Sequence, residues 1–472
     1  MGHPSTGGRV TAETMTLTEL AAACGVSVET LEAWQGLGLL VGRGDQVDPL
    51  DLERVRLIQF AGRRGFGPEQ VAAACGTAGD LLAMHIHMLP VHGTARLGVG
   101  FEEAARVSGL DREVLGRLWR ASGLVDQGEA YEDDVAALRS LKVALDAGMP
   151  EEALVQILRV FSESLGKVAE AEARLFHHYV HERLRARGVR GRELTAATDA
   201  VAEPLVGLIE PTVSYFHAKA WERAQREDLL VHLAEDTTTP GDVPGELDLT
   251  VLFVDLSGFT PLTEAMGDAA AAGLVERFAD LVRLAAYEHN GRVVKQIGDE
   301  FMLVFAVPAD AVGCGLDIEA AASAEAQFPA VRQGGHTGRA LYRAGDYVGT
   351  TVNIAARVVA EADRHEFLVT GAVVAAAGDL PDAQPVPVGA RSLRGIATDV
   401  ELFEIRAAAL RPRREVDPVC LMELDPSSCT TRLGWRGRQL WFCSDDCLAR
   451  FAAEPDRYPL GALAPPNEGS TQ

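Results

Sequence analysis

Two carboxylates draw notice because each interrupts a run that otherwise has the character of a buried strand. Asp255 falls in Val251–Thr260, which reads VLFVDLSGFT, and Asp299 falls in Val293–Phe305, which reads VVKQIGDEFMLVF. Short β-branched and aromatic runs predict strands, and an acid within one does not fill a core, since a buried charge needs a partner. Ile297-Gly298-Asp299-Glu300 reads as a tight turn in which glycine frees the backbone, so a hairpin would carry Asp299 at its tip. Asp255 ends its strand and is followed by Ser257-Gly258-Phe259-Thr260, whose backbone N–H groups could cradle a phosphate where a short helix begins. Two carboxylates beside an anion-binding turn point to Mg²⁺ and a nucleotide.

A third stretch, GDYVGTTVNIAARV at Gly345–Val358, completes a set in which all three motifs resemble those of the class III nucleotidyl cyclases. The resemblance covers residues 246–406 and implies an adenylate cyclase that converts ATP to 3′,5′-cyclic AMP and pyrophosphate. It also implies two Mg²⁺ or Mn²⁺ ions held by Asp255, Asp299 and the backbone carbonyl of Leu256, with the amides of Gly258, Phe259 and Thr260 on the β- and γ-phosphates. Lys295 would donate to adenine N1 and Asp346 would accept from its N6 amine. Guanine presents the opposite edge, and each mismatched group costs about 1–3 kcal/mol, so the pair favours ATP over GTP. Asn353 would orient the ribose and Arg357 would stabilise charge on the α-phosphate. Where the family commonly has lysine before a glycine, this chain has Leu393-Arg394-Gly395, so Arg394 would meet the terminal phosphates with a different reach. The family pairs such residues across a dimer interface, which implies a homodimer with two equivalent sites.

The elements that must position these groups alternate as Leu249–Val254, Ala269–Asn290, Val293–Val307, Ala309–Gln327, a strand near Arg339–Tyr342, a helix after Val352 and Glu366–Thr370. That order predicts an α+β, ferredoxin-like domain whose mainly antiparallel sheet carries helices on its outer face. With 472 residues, the chain is expected to hold two to four domains of about 100–200 residues each. The expected organisation is an all-α regulatory region, the cyclase domain at 246–406 and a small cysteine module at 415–462.

In the N-terminal region, Thr18–Leu40 and Asp48–Ala74 read as helices broken by glycine turns and resemble a MerR-type helix-turn-helix unit, here placed at 1–92. Ser108-Gly109-Leu110-Asp111 repeats the turn at Cys24-Gly25-Val26-Ser27, and Gly148-Met149-Pro150 repeats Gly65-Phe66-Gly67-Pro68, so a second unit is placed at 93–202. DNA binding is disfavoured. Glu29 and Glu32 occupy the first recognition position, and Arg112, Arg117 and Arg120 of the second are flanked by acids. A regulatory scaffold is the favoured reading. Arg183–Arg192 reads as a solvated bend, and His177, His178 and His181 form a cluster able to charge near neutral pH. A helical link at 203–245 is expected to start at Pro204, kink at Pro211 and end in the Thr237–Gly245 linker.

Past a basic linker, Arg411–Arg414, the chain reads VDPVCLM and then RLGWRGRQLWFCSDDCLARFAAEPDRYP, which resembles the YHS/TRASH metal modules. Cys420, Cys443 and Cys447 form a C-x22-C-x3-C pattern that suits Zn²⁺ or Cu⁺, with Cys429 or Asp417 as candidates for a fourth ligand. Cys24, Cys75 and Cys314 read as inert core thiols. A net charge of −24 opposes general attraction to nucleic acid or anionic membrane. The polar N-terminus and the lack of any apolar run near the roughly 20 residues that span a bilayer predict a cytoplasmic protein. The alternative function is a ligand- or metal-responsive transcription regulator that uses a degenerate cyclase domain for dimerisation.

Overall fold

A computed structural model of the chain describes residues 15–48, 50–89, 100–124, 132–235, 245–325, 327–407, 414–458 and 460. It divides into two units, Met1–Pro240 and Gly241–Gln472. Among the described residues no helix is long and apolar enough to cross a membrane.

The first unit begins with α1 (Leu17–Cys24) and α2 (Val28–Gly36), joined by a turn that the sequence dictates at both ends. Gly25 takes a φ of 63° to close α1, and the Ser27 side chain accepts from Thr30 N to open α2. Helices α3 (Asp51–Gly62), α4 (Pro68–Ala78) and α5 (Leu81–His87) complete a core around Leu20, Leu31, Val55 and Ile58. The arrangement is then repeated by α6 (Phe101–Ser108), α7 (Arg112–Ala121), α8 (Glu132–Asp146) and α9 (Glu151–Phe176) around Leu115, Leu118 and Leu138. Gly109 (φ 73°) and Asp111 reproduce the Gly25–Ser27 turn, and Gly148 (φ 95°) reproduces Gly65 (φ 90°).

Beyond α9 the structure departs from the expected bend and link. His177–Glu182 is a π-helical turn leading into α10 (Arg183–Ala186), and only the stretch around Gly188 (φ 91°) forms a bend. The next helix, α11, runs from Gly191 to Glu235, so it starts before Pro204 and holds both prolines inside. Each proline removes a single rung from a 45-residue ladder while its fixed φ still suits the helix. The Thr237–Gly245 linker lies outside the described residues apart from Gly245.

The second unit runs β1 (Glu246–Leu256), α12 (Phe259–Met266), α13 (Asp268–Glu288), β2 (Arg292–Ile297), β3 (Glu300–Phe305), α14 (Pro308–Ala324) and β4 (Val331–Arg343). It continues through β5 (Asp346–Val348), α15 (Thr350–Glu361), β6 (Phe367–Thr370), α16 (Gly371–Ala377), β7 (Ala383–Arg391) and β8 (Val400–Ala407). The sheet order is β2-β3-β1-β4-β6-β8-β7 with β5 beside β4, and only β4 and β6 pair in parallel. Leu252 and Val254 of β1 pack with Phe278 of α13 and Ile318 of α14, whereas Val251 and Phe253 pack with Ala355 and Val359 of α15. Both faces of β1 are therefore covered, which is why its sequence is apolar without alternation.

Two expectations are corrected. Helices do not cover one face alone, since α15 lies on the other, and β4 is far longer than its predicted Arg339–Tyr342 segment. Glycines 334, 335 and 338 hid the rest of the strand, because glycine weakens strand character. At Gly334 that residue is required: a Cβ there would stand 2.1 Å from Val359 N, so the close seat of α15 depends on a missing side chain.

The cysteine segment is also less separate than expected. The segment forms strands β9 (Glu415–Val416), β10 (Glu423–Leu424), β11 (Arg432–Trp435) and β12 (Arg438–Trp441) and helix α17 (Asp445–Ala453), and all but β9 place residues in one buried cluster with the large sheet. In it Met422, Phe442 and Phe451 join Phe278 and Phe328. Met422 bridges to Pro329, and Glu423 N donates to Phe328 O at 3.2 Å. Fewer than about 50 residues seldom enclose a sufficient core alone, and the neighbouring sheet supplies the remainder. Of the basic linker, only Arg414 is described.

Candidate active site and thiol cluster

Asp255 stands at the end of β1, buried, directly opposite Arg332 of β4. Its Oδ2 accepts from Arg332 Nε at 2.7 Å and also from Nη2. Asp299 occupies the second position of a two-residue turn closed by the Ile297–Glu300 pair, and Gly298 supplies the positive φ of 65° at the first. Burial, and then the negative charge of Asp255, push the Asp299 carboxyl up to about 7. Burial and Asp255 raise Glu300 as well. Asp255 and Asp299 thus adjoin each other beside the Arg332 guanidinium, and the negative charge and hard oxygen donors of the pair suit a divalent cation. Leu256 follows Asp255 in the same strand. Arg332 escaped sequence reasoning, because only the register of β1 with β4 brings it to Asp255.

Gly258, at φ 76°, opens α12, and no side chain caps the helix. The backbone amides of its first turn are therefore not occupied by a capping residue, as an anion-binding turn requires. Lys295 Nζ lies 2.5 Å from Asp346 Oδ2, and Asp346 Oδ1 accepts from Tyr347 N at 2.8 Å. The hairpin register sets Lys295 opposite Met302, on the face that α15 covers. A bulge at Val294 then returns Arg292 to that same face, where its guanidinium lies 5.2 Å from the Tyr347 ring centroid. Asn353 and Arg357 form an exposed i, i+4 stripe on α15, and Arg394 is exposed beside buried Leu393. The structure thus brings Asp255 to Asp299 and Lys295 to Asp346, while these last three face solvent.

Near the C-terminus, donor atoms of Asp417, Cys420, Cys443 and Cys447 all lie within 4.8 Å of one another. Cys420 and Cys443 Sγ are 3.5 Å apart, and Cys443 and Cys447 Sγ 3.6 Å. The Ser444 hydroxyl caps α17 by accepting from Cys447 N at 3.2 Å, which presents Cys447 in the first helical turn. Buried Asp417 accepts from Val419 N and from Cys443 N, both at 2.8 Å, and so ties two cysteine-bearing segments together. Hydrogen bonds from Cys420 and Cys443 hold the Cys447 thiol far below its usual range. Cys429 lies outside the group, with its Sγ donating to Phe442 O at 3.3 Å, so Asp417 rather than Cys429 stands with the three sulfurs.

A part-buried ionic network joins this segment to the sheet. His365 Nδ1 lies 2.7 Å from Glu319, and its Nε2 meets Glu423. Arg364 Nη2 reaches Glu423 at 3.2 Å, and Nη1 donates to Leu421 O at 3.2 Å. Burial disfavours a charged His365, but its hydrogen bonds to Glu319 and Glu423 outweigh burial and push the ring up to about 9. In the first unit, His177 and His181 stack at 4.9 Å within the π-helical turn, and His181 Nδ1 lies 3.3 Å from Thr198 Oγ1 of α11. Burial, then His177 and Arg185, lower His181 against the pull of Glu182.

Residues 38–217 match a family profile described as the adenylate cyclase regulatory domain, and residues 245–403 match the adenylate and guanylate cyclase catalytic domain. The chain is 30% identical over 377 residues to the pH-sensitive adenylate cyclase of Mycobacterium tuberculosis (strain CDC 1551 / Oshkosh), covering 78% of this chain and 91% of that protein. It is 32% identical over 312 residues to an adenylate cyclase of Streptomyces coelicolor, covering 64% of this chain and 77% of that one. The figures for an adenylate cyclase of Streptomyces griseus are 32% over 303 residues, 62% and 71%.

Proposed function

The chain belongs to the adenylate cyclase family and converts ATP to cyclic AMP, and on that premise we propose how its residues divide the reaction. Asp255, Asp299 and the carbonyl of Leu256 would hold two Mg²⁺ or Mn²⁺ ions. Bound there, the ions supply the charge that acidifies the ribose 3′-hydroxyl and neutralises the triphosphate. The convergence of Asp255 and Asp299 carries this reading; burial, and then the charge of Asp255, raise Asp299 to about 7.

The amides of Gly258, Phe259 and Thr260 receive the β- and γ-phosphates at the uncapped start of α12. Lys295 and Asp346 already adjoin each other, and an adenine edge takes over both groups by accepting from the ammonium at N1 and donating from its N6 amine to the carboxylate. Asn353 fixes the ribose. Arg357 meets the charge that builds on the α-phosphate as the 3′-oxygen bonds to phosphorus and pyrophosphate leaves, and Arg394 contacts the terminal phosphates.

Those last three residues belong to sites shared between two copies of the chain. Their exposure supports this, as do the exposed apolar side chains of Ile297, Tyr342 and Val348 near Lys295 and Asp346. Mixing Asp255→Ala with Arg357→Ala, each inactive alone, is expected to restore cyclic AMP synthesis through one intact site per heterodimer. Heterodimers without recovered activity would contradict the shared site.

The helical units 1–92 and 93–202 act as a regulatory scaffold, joined to the catalytic domain through 203–245. Their MerR-like pattern does not extend to a DNA-binding surface, because Arg117 is engaged by Glu151 and Arg112 by Glu102. The pH sensitivity named for the mycobacterial relative supports a proton-responsive regulation here. His181, set among His177, Glu182, Arg185 and Thr198, is the group placed to feel pH. The C-terminal segment is a YHS/TRASH-like module that binds Zn²⁺ or Cu⁺ through Cys420, Cys443 and Cys447 with Asp417 beside them.

A further inference from the structure

We propose that the thiol cluster is a regulatory metal site, and that its occupancy sets the conformation of the phosphate-binding turn through Leu421. The inference rests on the reading of Asp417, Cys420, Cys443 and Cys447 as metal donors and adds what that metal controls.

Leu421 directly follows a cluster cysteine, and its side chain lies against Gly258. A Cβ added at Gly258 would be 2.6 Å from Leu421 Cδ1, so the two residues touch with no space between them. Leu421 itself holds a φ of 61°, a region that a leucine rarely occupies unless its surroundings impose it. The constraints are visible. Leu421 N donates to Asp417 O at 2.9 Å, Asp417 N donates to Met422 O at 2.9 Å, and Arg364 holds the Leu421 carbonyl.

A second route reaches the same turn from its other side. Met422 bridges to Pro329, and the next carbonyl, Ala330 O, accepts from Ser257 N at 2.8 Å. Two residues on, Arg332 grips Asp255. Arg450 of α17 also donates to Glu264 O of α12 at 3.0 Å. The segment 417–422 thus touches Gly258 directly through the Leu421 side chain and reaches Ser257 indirectly through Pro329 and Ala330.

A cation is the natural fastener for this segment. The donors come from three places, a turn at 417–420, the end of the β11–β12 ribbon at Cys443 and the start of α17 at Cys447. The three sulfurs already lie within hydrogen-bonding reach of one another, and an ion that bound them as thiolates would displace their protons and draw the Cys420 turn onto α17. Three sulfurs with one carboxylate suit Zn²⁺, and three sulfurs alone suit Cu⁺; Mg²⁺, which prefers oxygen, is a poor match. Filling the site therefore fixes Leu421 against Gly258 directly and reaches Asp255 only through Pro329 and Arg332, and emptying it lets the turn relax. The effect belongs in nucleotide affinity more than in the chemical step.

The test uses the full chain at constant excess Mg²⁺, with Zn²⁺ and then Cu⁺ as the added metal. The wild type is expected to bind about one ion per chain, and stripping it should raise KM for ATP by about fivefold or more with a smaller change in kcat. Stoichiometric Zn²⁺ or Cu⁺ should restore the stripped wild type but not the Cys420→Ser/Cys447→Ser variant. Leu421→Ala should keep its metal and show the raised KM whether loaded or stripped. If the cysteine variant does not fold, the stripped and reloaded wild type and Leu421→Ala still decide the matter. Metal binding with one KM across loaded, stripped and Leu421→Ala protein would overturn the coupling and leave the metal site standing. Failure of the folded wild type to bind either ion would overturn both.

Discussion

Asp255 and Asp299 reach a common space from the end of a central strand and from a hairpin tip, whereas the donors of the thiol cluster converge from a turn, a ribbon end and a helix start. The first group is hard, charged and incomplete, with Arg332 as its nearest cation. The second is soft and supplies four donors within one small volume, three of them, Asp417, Cys420 and Cys447, buried. Such a contrast separates a centre that must admit and release substrate from one that must keep what it binds. The two differ in tolerance as well. A catalytic carboxylate can be lost without harm to the fold, while a cluster residue helps to hold its own surroundings.

The sharpest break of the comparison comes from Asp299→Ala. Turnover is expected to fall by about 10³-fold or more, roughly 4 kcal/mol in the barrier, because a carboxylate that would hold the catalytic ions is gone. Thermal unfolding should not suffer, since the substitution relieves repulsion with Asp255. A folded variant that retained about a tenth of its cyclic AMP synthesis would remove Asp299 from the metal site.

A smaller effect is expected where the cysteine segment meets the sheet. His365 is held near 9, so its contribution to stability is fully present below its unfolded value of about 6.5 and is lost as pH rises through about 9. The melting temperature of the wild type should therefore decline from pH 7 to 10 by an amount corresponding to roughly 2 kcal/mol. His365→Gln should show a flatter slope and a lower plateau at neutral pH. Parallel curves for the two proteins would show that Glu319 and Glu423 do not depend on a charged ring.

The smallest effect is the null result assigned to Cys429. Its sulfur points to two carbonyls, so Cys429→Ser should bind the same amount of Zn²⁺ or Cu⁺ as the wild type, measured on the purified protein. Loss of metal in that variant would mean that the cluster recruits Cys429 when loaded.

What the sequence disclosed follows the range of the interactions involved. The hairpin with Asp299 at its tip could be read because a tight turn and its glycine are local features, as could the paired turns at Gly25 and Gly109. Arg332 could not, since its meeting with Asp255 depends on a strand pairing across 77 positions. The long β4 was masked by glycines whose purpose, room for α15, appears only in three dimensions. Nothing local in the sequence marks Arg364 and His365. Their partner Glu423 belongs to a segment that appeared separate because the basic linker draws the eye more than a shared core does.

The two-residue turn at Gly298-Asp299 fixes more than the place of one carboxylate, because along a strand the facing of every side chain is a matter of parity. Counted back from the turn, Lys295 falls on the face of Met302 and Gln296 on the face of Phe301. An insertion of one residue in the turn would exchange them. Every residue of the proposed nucleotide site would still be written in the chain, yet the Gln296 amide would stand where that reading needs the Lys295 ammonium. An insertion of two would restore the original facing. An odd change in the length of this loop should therefore cost the Lys295 contact, whereas an even one keeps that facing and acts only by displacing Asp299.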